Sequence, residues 1–148
     1  MSSRSQRLLW HGMLLFVLGL ITGLVSEQLT NPRMGLAAHL EGLMNGTFLL
    51  AVGAVWHRCQ LSPRAAALAF STVLYGAYEN WITTTLAAVF GTSAMTPLAS
   101  GSHRAVDWQE LLITVGFITV AIAMLVSSIL LLIGFRRAVS NTESTTNA

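Results

Sequence analysis

The sequence is poor in charge, has no lysine and contains a single cysteine among its 148 residues. Charged residues make up 9% of the chain, against about 25% in an ordinary soluble domain, so the polar surface of a soluble globular fold is missing. Intrinsic disorder is excluded too, because hydrophobic residues reach 53% and disordered chains are poor in them. The lone Cys59 excludes a disulfide framework and a metal site built from clustered cysteines.

What the sequence does contain is four long apolar stretches, at 8–25, 35–56, 65–90 and 111–135. Each is close to or above the roughly 20 residues that a helix needs to cross a bilayer. They predict an all-α integral membrane protein, a four-helix bundle in one domain spanning residues 1–148. The polar tail at 140–148 is expected to be disordered.

The basic residues are eight scattered arginines, and the net charge is only +2. Nucleic-acid-binding proteins carry clustered basic patches, so we expect no nucleic acid partner. Six arginines flank the spans on one side and two on the other: Arg4, Arg7, Arg58, Arg64, Arg136 and Arg137 against Arg33 and Arg104. The positive-inside rule then predicts a multi-pass protein of the inner (cytoplasmic) membrane with both termini in the cytoplasm.

Small residues form stripes on the predicted helices. At about 100° per residue, one face of the second span carries Gly35, Gly42, Gly46 and Gly53. Such stripes let helices approach closely in lipid. His39 lies on the same face, so a flat macrocycle lying against these glycines is a second interpretation.

Ionisable residues at membrane depth are costly and suggest function. With a rise of about 1.5 Å per residue, His39 lies about 6 Å inside the outer end of its span, and Asn45 and Glu79 about 15 Å and 16 Å inside theirs. We therefore expect Asn45 and Glu79 to face each other below His39, in a polar pocket. Tyr75 and Tyr78 adjoin this pocket. Each of these side chains also has a plain interpretation as an interhelical hydrogen-bonding group.

Glu41 lies one helical turn before Asn45, so the two side chains can hydrogen-bond. The roles of Glu41, His11 and His103 remain open at this point. A zinc ion requires three or four ligands, and the HxxxH and HExxH patterns are absent. One histidine can be the axial ligand of a haem, and without a Cys-x-x-Cys-His motif any haem would be the non-covalent b type.

The run from Asn31 to Gly46, which contains His39, Glu41 and Asn45, resembles the signature of the hydroxylaminobenzene mutases. The opening His-Gly-Met-Leu-Leu at residues 11–15 fits this family as well. Styrene oxide isomerases are more distantly similar and share the His-Gly start and the His-x5-Asn-Gly pattern. The resemblance covers the four-span layout and is most specific at residues 11–16 and 31–46.

The resemblance implies an isomerase without net redox change, a homotrimer in the lipid bilayer with ferric haem b bound near the subunit interfaces. The iron would act as a Lewis acid. His39 would hold the iron, and Asn45 would place a small aromatic substrate. Gly35, Gly42 and Gly46 are the residues expected against the haem, from the second interpretation of their stripe.

The third span departs from the styrene oxide isomerases. Tyr75 stands near the place of their acidic residue, and threonines stand near the place of their tyrosine. The departure favours rearrangement of aryl hydroxylamines to 2-aminophenols, as in aromatic compound degradation, with Glu79 or Tyr78 relaying the ring proton. The alternatives are an epoxide isomerase on the same scaffold, and a non-enzymatic membrane haem protein or small transporter.

Overall fold

The structure, a computed structural model, describes the backbone of residues 3–146 and the side chains of residues 3–138. This range is almost entirely helical and contains no strand. Five α-helices follow one another: α1 (Ser3–Val25), α2 (Pro32–Val55), α3 (Pro63–Phe90), α4 (Pro97–Ser100) and α5 (Asp107–Thr146). Short 3₁₀ turns, Ser26–Gln28 and Trp56–Arg58, follow α1 and α2.

The polar segments between the predicted spans supply the helix ends. The side chain of Asn31 accepts a hydrogen bond from the backbone N–H of Met34, and that of Ser62 accepts one from Ala65. A proline follows each cap, at a position where its missing N–H has no partner to lose. The third helix ends at Gly91, whose φ of 69° is the left-handed conformation that favours glycine.

The long helices pack in chain order, α1 on α2, α2 on α3, and α3 on α5, with a smaller contact between α1 and α3. In the described part of the chain, α5 makes no close backbone approach to α1 or α2. All four predicted long helices are therefore present. They form a group of three with α5 attached to α3, a more open arrangement than the predicted bundle.

Within the described residues, three helical segments are long and apolar enough to cross a membrane: Ser3–Gln28, Pro32–Arg58 and Asp107–Ala138. At 28 residues α3 is equally long, but its middle carries tyrosines, Glu79, Asn80 and three consecutive threonines. These polar residues lower the mean hydropathy of α3. Several of them form hydrogen bonds with neighbouring helices.

The last helix continues to Thr146, beyond the predicted end of the fourth span at residue 135. The backbone of residues 140–146 is helical, where composition predicted a disordered tail. A helix already formed extends by one hydrogen bond for each residue added. Residues 147 and 148 of the predicted tail lie outside the described residues.

Glycines allow α1 and α2 to approach each other at backbone distance. A Cβ built on Gly12 would lie 2.8 Å from the carbonyl oxygen of Gly46, and one built on Gly19 would lie 2.8 Å from the carbonyl carbon of Gly42. Side-chain carbons do not approach backbone atoms so closely, so glycine is required on both helices. This is the close packing that small-residue stripes provide in lipid.

The glycine face of α2 is therefore covered by protein. Cβ atoms built on Gly35, Gly42 and Gly46 would all meet α1 or the turn that follows it. The structure contradicts the prediction that these three glycines lie against a haem, because helix packing, the other interpretation of the stripe, already fills that space.

Gly42→Ala should lower the free energy of unfolding by about 1–3 kcal/mol, the usual cost of overpacking a tight contact. The added methyl would meet the Gly19 backbone, which cannot move aside like a flexible side chain. Gly53→Ala is the milder comparison on the same helix. A Cβ there would lie 3.0 Å from Cβ of Leu8 and 3.1 Å from the backbone nitrogen of Leu9, which are longer contacts than that of Gly42 with Gly19, so the loss of stability should be smaller. Thermal unfolding in detergent compares the two, and equal midpoints would contradict the packing described.

Candidate active site

A carboxylate and two amides meet between α2 and α3. Oε2 of Glu41 accepts hydrogen bonds from Nδ2 of Asn45 at 3.0 Å and from Nδ2 of Asn80 at 2.6 Å. Asn45 is only 6% exposed, and Glu41 and Asn80 are partly buried. The hydrogen bond predicted between Glu41 and Asn45 is present, and an amide from α3 joins it.

The carboxylate determines which way both amides face. An ionised carboxylate only accepts hydrogen bonds, so each asparagine turns its NH₂ group toward Glu41. The carbonyl oxygens of Asn45 and Asn80, and Oε1 of Glu41, have no hydrogen-bond partner among the described residues. Three acceptor oxygens are thus available to a ligand that carries N–H or O–H donors.

Trp81 helps to fix the rotation of α3 that brings Asn80 to Glu41. Its Nε1 donates to Oγ1 of Thr22 on α1 at 3.0 Å, and its ring edge lies against Gly42 of α2. One side chain of α3 therefore contacts both neighbouring helices. Asn80, the residue before Trp81, is directed toward the carboxylate of Glu41 as a consequence.

His39 is anchored through one ring nitrogen. Its Nδ1 lies 2.8 Å from the backbone carbonyl oxygen of Gly19 on α1, and since a carbonyl only accepts, Nδ1 carries the proton and donates. Nε2 then holds a lone pair and has no hydrogen-bond partner in the described chain. Metal-binding histidines show this arrangement, because a hydrogen bond at one nitrogen fixes the ring and its tautomer while the other binds the metal.

Gly23 makes room for this histidine. A Cβ built on Gly23 would lie 2.5 Å from Nδ1 and 2.9 Å from Cε1 of His39. Any larger residue at position 23 would displace the imidazole from the Gly19 carbonyl. The glycines of α1 thus allow the close packing of α2 and also make room for His39.

His39 offers a single metal-binding nitrogen, which suits a haem and is too few for a bare metal ion. Among residues 3–138, no three His, Cys, Asp or Glu side chains are grouped so as to hold a metal. A metal at His39 would need its other ligands from a cofactor, which is what a haem with one axial histidine provides.

Tyr78 contacts α1, away from the carboxylate and its amides. Its hydroxyl lies 3.1 Å from Nδ1 of His11 and donates to the His11 carbonyl at 3.4 Å. The two rings meet edge to face, with centroids 5.7 Å apart. His11 is therefore the partner of Tyr78. Tyr78 makes an interhelical hydrogen bond, as its plain interpretation predicted, and no hydrogen bond with Asn45 is found among the described residues.

Tyr75 and Glu79 lie on the side of α3 that faces α5. The hydroxyl of Tyr75 donates to Oγ1 of Thr119 at 3.0 Å. Oε1 of Glu79 accepts from Thr83 at 3.2 Å, and Thr83 in turn packs against Gly116 of α5. These contacts join α3 to α5, whereas the carboxylate of Glu41 and its two amides lie between α2 and α3.

The prediction that Glu79 faces Asn45 is therefore wrong, and Asn80 takes that place. One residue turns a helix by about 100°, so adjacent positions contact different neighbours. Depth along the span was a sound guide, but nothing in the pattern fixed the rotation of α3. Of the four predicted catalytic residues, the structure places only Asn45 with Glu41 and Asn80.

His39 and Asn45 lie on different sides of α2. Their separation of six positions corresponds to about 600°, or about 120° short of two full turns. His39 contacts α1, whereas Glu41, the hydrogen-bond partner of Asn45, contacts Asn80 of α3. Within one chain the anchored histidine and the amides therefore face different neighbours.

His103 lies in the loop between α3 and α5, separate from both groups. Its Nδ1 donates to the carbonyl of Ser100 at 2.9 Å. It lines a cavity of about 360 Å³ together with Ser93, Pro97, Ser100, Gly101, Ser102 and Arg104. This loop also holds the start of α2, since Nδ2 of Asn31 donates to the carbonyl of Ala99 at 3.0 Å.

Comparison with known proteins identifies the family. The sequence model of styrene oxide isomerase matches residues 4–136. The chain belongs to the styrene oxide isomerase family. It is 44% identical over 135 residues to hydroxylaminobenzene mutase HabB of Ectopseudomonas oleovorans, covering 90% of this chain and 82% of that protein. Hydroxylaminobenzene mutase HabA of the same organism is 39% identical over 127 residues, with 85% and 94% covered.

No solved structure matches the chain significantly. The predicted resemblance to the mutases is confirmed, and so is the enzyme class, because this isomerase family and the two curated mutases match most of the chain. The protein is an isomerase. Helices of membrane-spanning length are consistent with a lipid bilayer around it.

Asn80→Leu should lower the free energy of unfolding by about 1–3 kcal/mol, because the carboxylate of Glu41 loses a donor. Glu41→Leu should cost a similar amount by leaving two amides unpaired. The double variant should cost less than the sum, since both polar partners are then gone. Thermal unfolding of the four proteins in detergent measures the coupling, and strict additivity would contradict it.

Proposed function

We propose that this isomerase converts aryl hydroxylamines into 2-aminophenols, with ferric haem b bound through His39. The observation that carries the cofactor assignment is the hydrogen bond from Nδ1 of His39 to Gly19, which leaves Nε2 available. The substrate assignment is supported by the two similar proteins that are named hydroxylaminobenzene mutases. Tyr75, which contacts Thr119 of α5, replaces the acidic residue expected of an epoxide isomerase.

When bound, ferric haem would supply a Lewis acid that weakens the N–O bond of the hydroxylamine. The chain orients the substrate. The carbonyl oxygen of Asn45 accepts a hydrogen bond from the N–H or O–H of the hydroxylamine head, because Glu41 already holds the NH₂ group of the same amide. The apolar helices around the site exclude bulk water, which would otherwise add elsewhere on the ring.

In the membrane, α3 is the fourth span beside the three segments of sufficient hydropathy. Its polar residues pair with other helices through Tyr75, Tyr78, Asn80 and Trp81, as polar groups inside membranes do. The arginine distribution, six against two, supports cytoplasmic termini. The setting is then the inner (cytoplasmic) membrane, in the degradation of aromatic compounds.

The functional unit is a homotrimer. One observation supports further subunit contacts. His39 contacts α1, whereas Glu41, which holds Asn45, contacts α3, so the histidine and the amides face different sides of α2. A neighbouring chain can bring an anchored histidine and a pair of amides to the same substrate. Cross-linking in native lipid, resolved by mass, reports the number of chains directly.

His39→Ala should remove both the haem absorption and the formation of 2-aminophenol from phenylhydroxylamine. His57→Ala is the control, because His57 is exposed in the turn after α2 and should keep both. Visible spectra and product chromatography of the two purified variants test this. A colourless His39→Ala protein with full turnover would remove haem from the mechanism.

Asn45→Ala should keep the haem absorption and lose turnover by about 10²-fold, because one oriented acceptor is removed while Nδ1 of His39 keeps its bond to Gly19. The same assays report both properties. Styrene oxide is assayed in parallel. Turnover of styrene oxide in preference to phenylhydroxylamine would favour the epoxide isomerase that the family match also allows.

A further inference from the structure

We propose that Glu41 is the acid–base residue of this reaction, and that its Oε1 carries the proton from the ring carbon to the nitrogen. The inference rests on the proposed function, since it assigns a residue to that rearrangement. It starts from the pairing of Glu41 with Asn45, the amide assigned to the substrate.

The two oxygens of Glu41 are in different situations. Oε2 accepts both amide hydrogen bonds, at 3.0 Å and 2.6 Å, whereas Oε1 has no partner among the described residues. The amides hold the carboxylate at one oxygen and orient the other. A proton acceptor held in this way needs no reorganisation before it reacts.

The two amide hydrogen bonds do not require a carboxyl group at position 41. They end on a single oxygen, and the carbonyl oxygen of a glutamine could accept both. An ionisable side chain at membrane depth is costly, so the second oxygen of Glu41 points to chemistry.

Other acid–base groups of α3 are occupied elsewhere. Glu79 accepts from Thr83 beside α5, and Tyr78 is paired with His11 on α1. Neither makes a hydrogen bond with Asn45. Glu41 is therefore the titratable group in direct contact with the amide that places the substrate.

The rearrangement leaves one proton transfer to the protein. The N–O bond breaks and a C–O bond forms at the ortho carbon, giving a neutral hydroxy-dienimine with the atoms of the substrate. Oε1 of Glu41 takes the proton from the ortho carbon, whose C–H electron pair restores the aromatic ring. The same proton is delivered to the imine nitrogen, which becomes the amino group, and the carboxylate is regenerated without any oxidant or reductant.

Glu41→Gln tests the assignment because it keeps the shape of the side chain and can keep both amide hydrogen bonds. We expect the turnover number for phenylhydroxylamine to fall by about 10²-fold or more, with unchanged haem absorption and thermal midpoint. Substrate deuterated at the ortho carbons should react more slowly than unlabelled substrate in this variant, since removal of that hydrogen then limits the rate. Glu27→Gln, at an exposed position after α1, is the matched control and should behave as the wild type.

Glu41→Gln with near wild-type turnover would overturn the role of Glu41 while leaving the proposed function in place. A Glu41→Gln protein that does not fold would also overturn it, because the carboxyl group would then be needed for folding. A wild-type protein that makes no 2-aminophenol would instead overturn the proposed function itself.

Discussion

The close approach of α1 and α2 at Gly19 and Gly42 is the constraint on which the rest of the structure depends. It brings the Gly19 carbonyl within 2.8 Å of Nδ1 of His39, and Gly23 leaves space for the imidazole ring. A helix carbonyl that accepts from a neighbouring helix is accessible only where side chains are absent, and glycines provide that access. The same residues therefore fix helix packing and the tautomer of the one histidine that faces the α1–α2 contact.

The third helix distributes its polar residues among three neighbours, and this explains how a segment with a carboxylate, two tyrosines and three threonines packs in an apolar protein. Tyr78 and Trp81 bond to α1, Asn80 bonds to α2, and Tyr75 bonds to α5. Burying a polar group without a partner costs free energy, so each contact also selects one rotation of α3. The carboxylate of Glu41 receives two donors as a result.

Much of the fold follows from the sequence, because apolar length and proline caps mark the helices. The predicted spans at 35–56 and 65–90 differ from α2 and α3 by at most three residues at each end. Spacing on a single helix also predicted the contact of Glu41 with Asn45. Contacts between helices were harder to predict. Depth placed Glu79 opposite Asn45, yet Asn80 takes that place. The rotation of α3 decides between them, and side chains such as Trp81 set this rotation. The glycines beside His39 were compatible with a macrocycle as well as with a packed helix, and the three-dimensional packing decides for the helix.

The proposed function requires this isomerase to hold a haem at the free nitrogen of an anchored histidine and to present it to a hydroxylamine. A visible spectrum of the detergent-purified wild-type protein, oxidised and then reduced with dithionite, tests this during titration with phenylhydroxylamine. We expect a Soret band at stoichiometric haem in the oxidised protein, which shifts on addition of the hydroxylamine while 2-aminophenol forms. A folded, colourless protein that forms 2-aminophenol at full rate would contradict it.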